Sequence, residues 1–81
     1  MKIVYRAHAI ERMIERKLRP EEVEMVVLYS EGSIPQSRDK FIYYKRLRGR
    51  KDNLIAAVAV SSNDQIDVIT VLVHFEVNHG S

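Results

Sequence analysis

Gln65-Ile66-Asp67-Val68-Ile69-Thr70-Val71-Leu72-Val73-His74-Phe75-Glu76 is dense in β-branched and aromatic residues and reads as one long strand. Alternation puts Ile69, Val71, Val73 and Phe75 toward a core and Ile66, Val68, Thr70, Leu72 and His74 on the other face. Upstream, Ser62-Asn63-Asp64 is a turn, Leu54 to Ser61 a second strand, Gly49-Arg50-Lys51-Asp52-Asn53 another turn, and Lys40 to Arg48 a third strand. Phe41, Tyr43 and Leu47 turn inward, Ile42, Tyr44, Arg46 and Arg48 outward, and Lys45 falls on the inward side. Ile34 to Gln36 adds a short edge strand, because Pro35 cannot donate to a ladder. Turns this short make neighbouring strands antiparallel.

The first half has a different period. Lys2-Ile3-Val4-Tyr5 is a short extended lead into a helix over Ala7 to Lys17, in which Ile10, Met13 and Ile14, with Leu18, recur at helical spacing and are expected to face the core. His8, Arg12 and Arg16 stand at four-residue steps, so they form a single ridge of one imidazole and two guanidiniums. Leu18-Arg19-Pro20 breaks the pattern. Proline suits the first position of a second helix, and Glu21 and Glu22 suit the positive end of its dipole. That helix runs from Pro20 to about Tyr29, buries Val23, Val26 and Val27, and ends with Gly32 as a left-handed cap. The expected fold is α+β, a single domain over residues 1–81 with two N-terminal helices packed on a three- or four-stranded antiparallel sheet.

A hydrophobic fraction of 46% beside 30% charged residues is that of a globular chain. With 81 residues it can bury only about 60% of its unfolded surface, so a dimer interface or another partner would help it. The sequence has neither a membrane-length apolar run nor a signal-peptide pattern, and the expected location is cytoplasmic. Zero cysteines exclude disulfides, thiol catalysis and thiolate zinc sites. His8, His74 and His79 match no zinc spacing and have no carboxylate cluster, so no metal or other cofactor is expected. Glycine-rich phosphate loops and serine nucleophile elbows are absent.

The net charge of +2 conceals segregation. Residues 1–20 carry six basic and two acidic side chains, and residues 38–51 carry seven and one. Residues 21–32 and 52–81 each carry four acidic side chains and no basic one. Two basic blocks would form one positive surface if folding brought them together, and two ordinary solvated faces if it did not.

The order His8-Ala9, Arg12, Arg16, then Glu22-Val23, and a late Val68-Ile69-Thr70-Val71 resembles small domains of unknown function in the RelE/ParE-like toxin superfamily, over nearly the whole chain. The resemblance implies two helices on an antiparallel sheet and, for many members, metal-independent ribonuclease activity in toxin-antitoxin systems; others inhibit gyrase. It carries the family's histidine onto His8, its arginines onto Arg12 and Arg16, and its late threonine onto Thr70. Lys17 stands where glycine is common, which implies a different inter-helix turn. Val71-Leu72 stands where an aromatic is common, which removes a base-stacking group.

Metal-free RNA cleavage needs a proton acceptor for the 2′-hydroxyl, donors for the phosphorane charge and a proton for the leaving oxygen. An imidazole at His8 supplies acid–base chemistry near neutral pH. Arg12 and Arg16 offer planar bidentate contacts to phosphate, and Arg46 and Arg48 could add theirs from the sheet. Tyr44 could stack on a base or donate a proton, and Thr70 could orient a phosphate or the histidine. The chain is therefore a candidate endoribonuclease, with His8, Arg12 and Thr70 catalytic and Arg16, Tyr44, Arg46 and Arg48 binding RNA, either free or ribosome-associated. An acidic antitoxin is the protein partner this implies. The alternative is a noncatalytic interaction module of the same fold that binds a protein or RNA, suggested by the apolar residues left on the outer sheet face: Ile42, Ile66, Val68 and Leu72. In that reading a second copy of the chain could cover them.

Overall fold

The computed structural model describes residues 2–51 and 54–76. In chain order the elements are β1 (Lys2–Tyr5), α1 (Ala7–Glu15), α2 (Pro20–Leu28), β2 (Gly32–Pro35), β3 (Lys40–Arg46), β4 (Leu54–Ser62) and β5 (Gln65–Phe75). The strands form a five-stranded sheet in the order β1-β5-β4-β3-β2, with α1 packed on β5 and α2 on β3 and β4.

The fold is α+β with two helices ahead of a meander, as the periodicity indicated, but the sheet is larger and mixed. Lys2–Tyr5 is a true edge strand that runs parallel to β5, with Ile3 opposite Ile66 and Tyr5 opposite Val68. Parallel neighbours require a long crossover, and both helices and three strands supply it here. A strand of four residues has too few alternations to announce so distant a partner. At the opposite edge lies β2, where Pro35 sits against Phe41 without interrupting an inner ladder.

Two irregularities in the β4–β5 ladder correct the expected faces of β5. Ala59 pairs with Val68 but Val58 with Thr70, so Ile69 is an extra residue; Ala56 pairs with Leu72 but Leu54 with Phe75, which inserts a second one. His74, inside the second irregularity, has a left-handed backbone with φ of 55°. Each bulge inverts the alternation beyond it. Ile66 and Val68 therefore join the core with Val71 and Val73, while Phe75 turns to the face away from the helices and packs against Tyr44, ring centroids 5.9 Å apart. Phe41, Tyr43 and Leu47 lie inward as expected. Tyr43 packs against the core, Phe41 stacks near it at 5.9 Å, and Leu47 is buried.

The buried stripe of α1 is Ala9 and Met13, continued by Leu18. Ile10 and Ile14, expected in the core, are 45% and 73% exposed. Ala9 faces β5 with no bulk beyond its methyl, and the small Ala57 and Ala59 line the same side of the sheet. Close approach along this stripe turns the larger isoleucines to the flank.

The helix ends at Glu15, two residues before the expected Lys17, in a Schellman motif. The Leu18 N–H donates to the Met13 carbonyl at 2.8 Å and the Lys17 N–H to the Ile14 carbonyl at 3.2 Å. Lys17 holds the left-handed position with φ of 55°, which glycine adopts more readily. Gly32 does not cap α2 but begins β2, opposite Tyr44. A Cβ there would lie 2.5 Å from the Tyr44 Cζ, so its hydrogen leaves room for a ring rather than for a turn.

Candidate nucleic-acid interface

The α1–α2 turn and the β3–β4 turn meet at one end of the molecule, where Arg50 joins them. Its Nη2 donates to the Arg16 carbonyl at 3.1 Å and its Nη1 to the Lys17 carbonyl at 3.2 Å. Carbonyls at a helix C-terminus lack helical partners and carry the negative end of the dipole, so a guanidinium satisfies both needs. Nη1 also lies 3.6 Å from Glu22 Oε2, and each of the two side chains is only 18% exposed. Glu22 Oε1 in turn accepts from the Arg19 backbone N–H at 2.9 Å, one half of a capping box on α2. The Glu22 N–H donates to the Arg19 carbonyl at 2.9 Å, since a guanidinium offers no acceptor for the other half.

This network places the two basic blocks side by side. Arg16, Lys17 and Arg19 come from the first, Arg48 and Arg50 from the second. Arg19 and Arg48 line an open groove of about 260 Å³ with Glu21, Glu22, Met25 and Leu47. Arg48 was expected on the outer sheet face; β3 ends at Arg46, and the chain beyond it turns toward α2. Lys17, Arg19 and Arg50 were counted in the basic blocks but not assigned to the site. Their signal is the Pro20 helix start, which makes the preceding residues a turn that some cation must cap.

The ridge on α1 leads toward this end. His8 is exposed in the first turn; Arg12 is half-buried, with Nη1 3.2 Å from Glu15 Oε1; Arg16 caps the helix rather than lying within it. A rise of 1.5 Å per residue separates these three by about 6 Å per step along the axis. The Arg12–Glu15 pair is a surface contact of about 0.3–0.5 kcal/mol and leaves the guanidinium able to exchange Glu15 for another anion.

The remaining candidates lie elsewhere. Thr70 pairs with Val58, one position from the core pair Ala57–Val71, so it stands on the sheet face away from the helices. Tyr44 is on the same face, across Gly32 and against Phe75. Arg46 ends the same strand, with its backbone N–H held by Glu31 Oε2 at 2.8 Å. The structure thus sets His8, Arg12 and Arg16 along α1 and Arg48 beside α2, and separates Tyr44, Arg46 and Thr70 from the helices by the thickness of the sheet.

Two shifted groups are structural. The Asp67 carboxylate accepts from Gln65 Nε2 at 2.6 Å and from Arg6 Nη2 at 2.9 Å, and these two bonds hold it below the usual carboxylate range. Arg6 is thereby committed to Asp67. The Tyr5 hydroxyl donates to the Pro20 carbonyl at 3.2 Å; burial, then the charges of Glu24 and Glu21, push its phenol up. Among the described residues no group of three or more His, Asp or Glu side chains could hold a metal ion, and no helix is long and apolar enough to cross a membrane. His79 lies outside the described residues, as do Asp52 and Asn53 of the β3–β4 turn.

These features define a small α+β domain, two helices on one face of a mixed five-stranded sheet, with a basic end built from two turns. Residues 5–73 match the domain of unknown function DUF4258, and the chain belongs to that family. No curated protein and no solved structure matches it.

Proposed function

We propose that the protein is a cytoplasmic, RNA-directed member of the RelE/ParE-like toxin class, a metal-independent endoribonuclease whose working surface is the α1 ridge and the basic end. The observation that carries this is the Arg50 network, which brings the second basic block against Arg16 and Lys17, at the end of the helix that carries His8 and Arg12. An RNA strand along the ridge meets the His8 imidazole and then the Arg12 and Arg16 guanidiniums at steps of roughly 6 Å. His8 takes the 2′-hydroxyl proton as that oxygen bonds to phosphorus, and the imidazole returns it to the 5′-oxygen as the old P–O bond breaks. The products are a 2′,3′-cyclic phosphate and a 5′-hydroxyl. Arg12 and Arg16 hold the phosphate oxygens, Arg48 binds RNA from the groove, and Tyr44, Arg46 and Thr70 take no part in this surface. An acidic antitoxin would cover the same basic end.

The test is incubation of labelled RNA in EDTA with wild type, His8→Ala and Arg12→Ala, with the cut ends mapped. Cleavage by wild type alone, leaving cyclic phosphate or 3′-phosphate ends, supports the proposal, and RNA affinity should fall steeply with salt. Undiminished cleavage by His8→Ala removes that role from His8. Binding without cleavage by all three proteins, still salt-dependent, favours the noncatalytic module instead.

A further inference from the structure

We propose that the sheet face away from the helices is the interface of a homodimer, two sheets stacked face to face about a two-fold axis parallel to β4. Both helices pack on the other side, and no described element covers this one. Its centre is apolar: Ile42 pairs with Val58 and Ala56 with Leu72, and Leu72 is 39% exposed. The strands of this face, at about 3.3 Å rise per residue and about 4.8 Å spacing, cover roughly 550 Å², against roughly 800 Å² per partner for a standard stable interface, so the dimer expected is a weak, concentration-dependent one. Sheets stack about 10 Å apart with their strands nearly aligned, a geometry that this face offers directly.

The charges choose the occupant and the axis. Lys40, Val60 and Asp67 lie side by side in one cross-strand row at one end of the face. Arg46, Leu54 and Phe75 form the row at the other end. A two-fold axis parallel to β4 keeps each row and exchanges β3 for β5, which sets Lys40 over the partner's Asp67, twice by symmetry. An in-plane axis across the strands would instead set Lys40 over the partner's Arg46, a like-charge pair also repeated twice. Asp67 already accepts from Arg6 and Gln65, and a carboxylate has acceptor sites to spare for a third donor. The basic end stays exposed in this dimer, so the interface is independent of the RNA proposal.

Sedimentation of the whole chain across a micromolar concentration series tests this. Wild type is expected to dimerise, and Leu72→Lys, at an exposed position the fold tolerates, to weaken the dimer at least about 100-fold by burying two unpaired charges. Lys40→Glu and Asp67→Lys are each expected to be monomeric alone, because each homodimer repeats a like-charge pair. Mixed one to one, they should form a heterodimer with both pairs complementary. A monomeric wild type, a dimer indifferent to Leu72→Lys, or a mixture that stays monomeric overturns the proposal. So does a dimer lost on Ile14→Lys but kept in Leu72→Lys, which would move the interface to α1.

Discussion

Replacing Lys17 with glycine should stabilise the protein. Lys17 sits at φ of 55° immediately after the α1 cap, and its backbone N–H and that of Leu18 close the helix onto Ile14 and Met13. An L-residue in that conformation costs about 1–2 kcal/mol through the clash of its Cβ with the following carbonyl, and glycine has no such clash. Against this stand glycine's extra unfolded-state entropy, about 0.4–1 kcal/mol, and the loss of a cation beside the helix C-terminus, about 0.3 kcal/mol where Arg50 already serves the same carbonyls. The expected net gain is about 0.5 kcal/mol, or roughly 2–4 °C in Tm for a chain of this size. Thermal and urea denaturation followed by circular dichroism would read it, with an unchanged urea slope showing that the unfolded state is comparable. Lys17→Ala is the control: it removes the same charge and keeps the Cβ, so it should gain nothing. If Lys17→Gly is no more stable than Lys17→Ala, the left-handed backbone stores no strain at this turn and the reasoning fails.

Gly32→Ala drives a methyl into the Tyr44 ring and should cost about 1–3 kcal/mol, as overpacking does, while Tyr44→Ala in the same chain should recover most of that penalty relative to Tyr44→Ala alone. Stability should fall at both extremes of pH. The Tyr5 phenol is raised above 10.0 in the folded state, so its contribution is complete below pH 10 and is lost as pH rises through the folded value; Tyr5→Phe should flatten melts taken between pH 9 and 11.5. Asp67 is lowered below 3.8, so its contribution is complete above that pH and is lost as pH falls through the folded value; Asp67→Asn should remove that part of the acid transition.

Much of the helical layer is written locally. Pro20 followed by Glu21 and Glu22 marks the start of α2, and Val23, Val26 and Val27 mark its buried face. Pro35 marks the edge of the sheet. What local pattern cannot carry is non-local geometry. The parallel partner of β1 depends on where a crossover of two helices and three strands delivers the chain. The faces of β5 depend on two bulges set by pairing with β4 rather than by the composition of β5 itself. Ile10 and Ile14 have the period of a core stripe, yet Ala9 wins that position because a small residue permits closer approach to β5. The same holds for the candidate site. The His8–Arg12 ridge is visible as a four-residue step, whereas Arg50 looks like any solvated cation in a basic run until the carbonyls of Arg16 and Lys17 are found beneath it. Thr70 reads as a partner of His8 only while the sheet between them is out of view.

The pairing of β1 with β5 ties assembly of the basic surface to the timing of synthesis. Tyr5 finds its place only beside Val68, and α1 rests on β5, so the ribosome must add about 60 residues after the ridge is made before the strand that anchors it exists. At ordinary elongation rates that is about 3–12 s in which His8 and Arg12 belong to an undocked segment. The basic surface is therefore assembled only after β5 has been made, and any partner that captures β5 or α1 in that interval acts before the fold is complete.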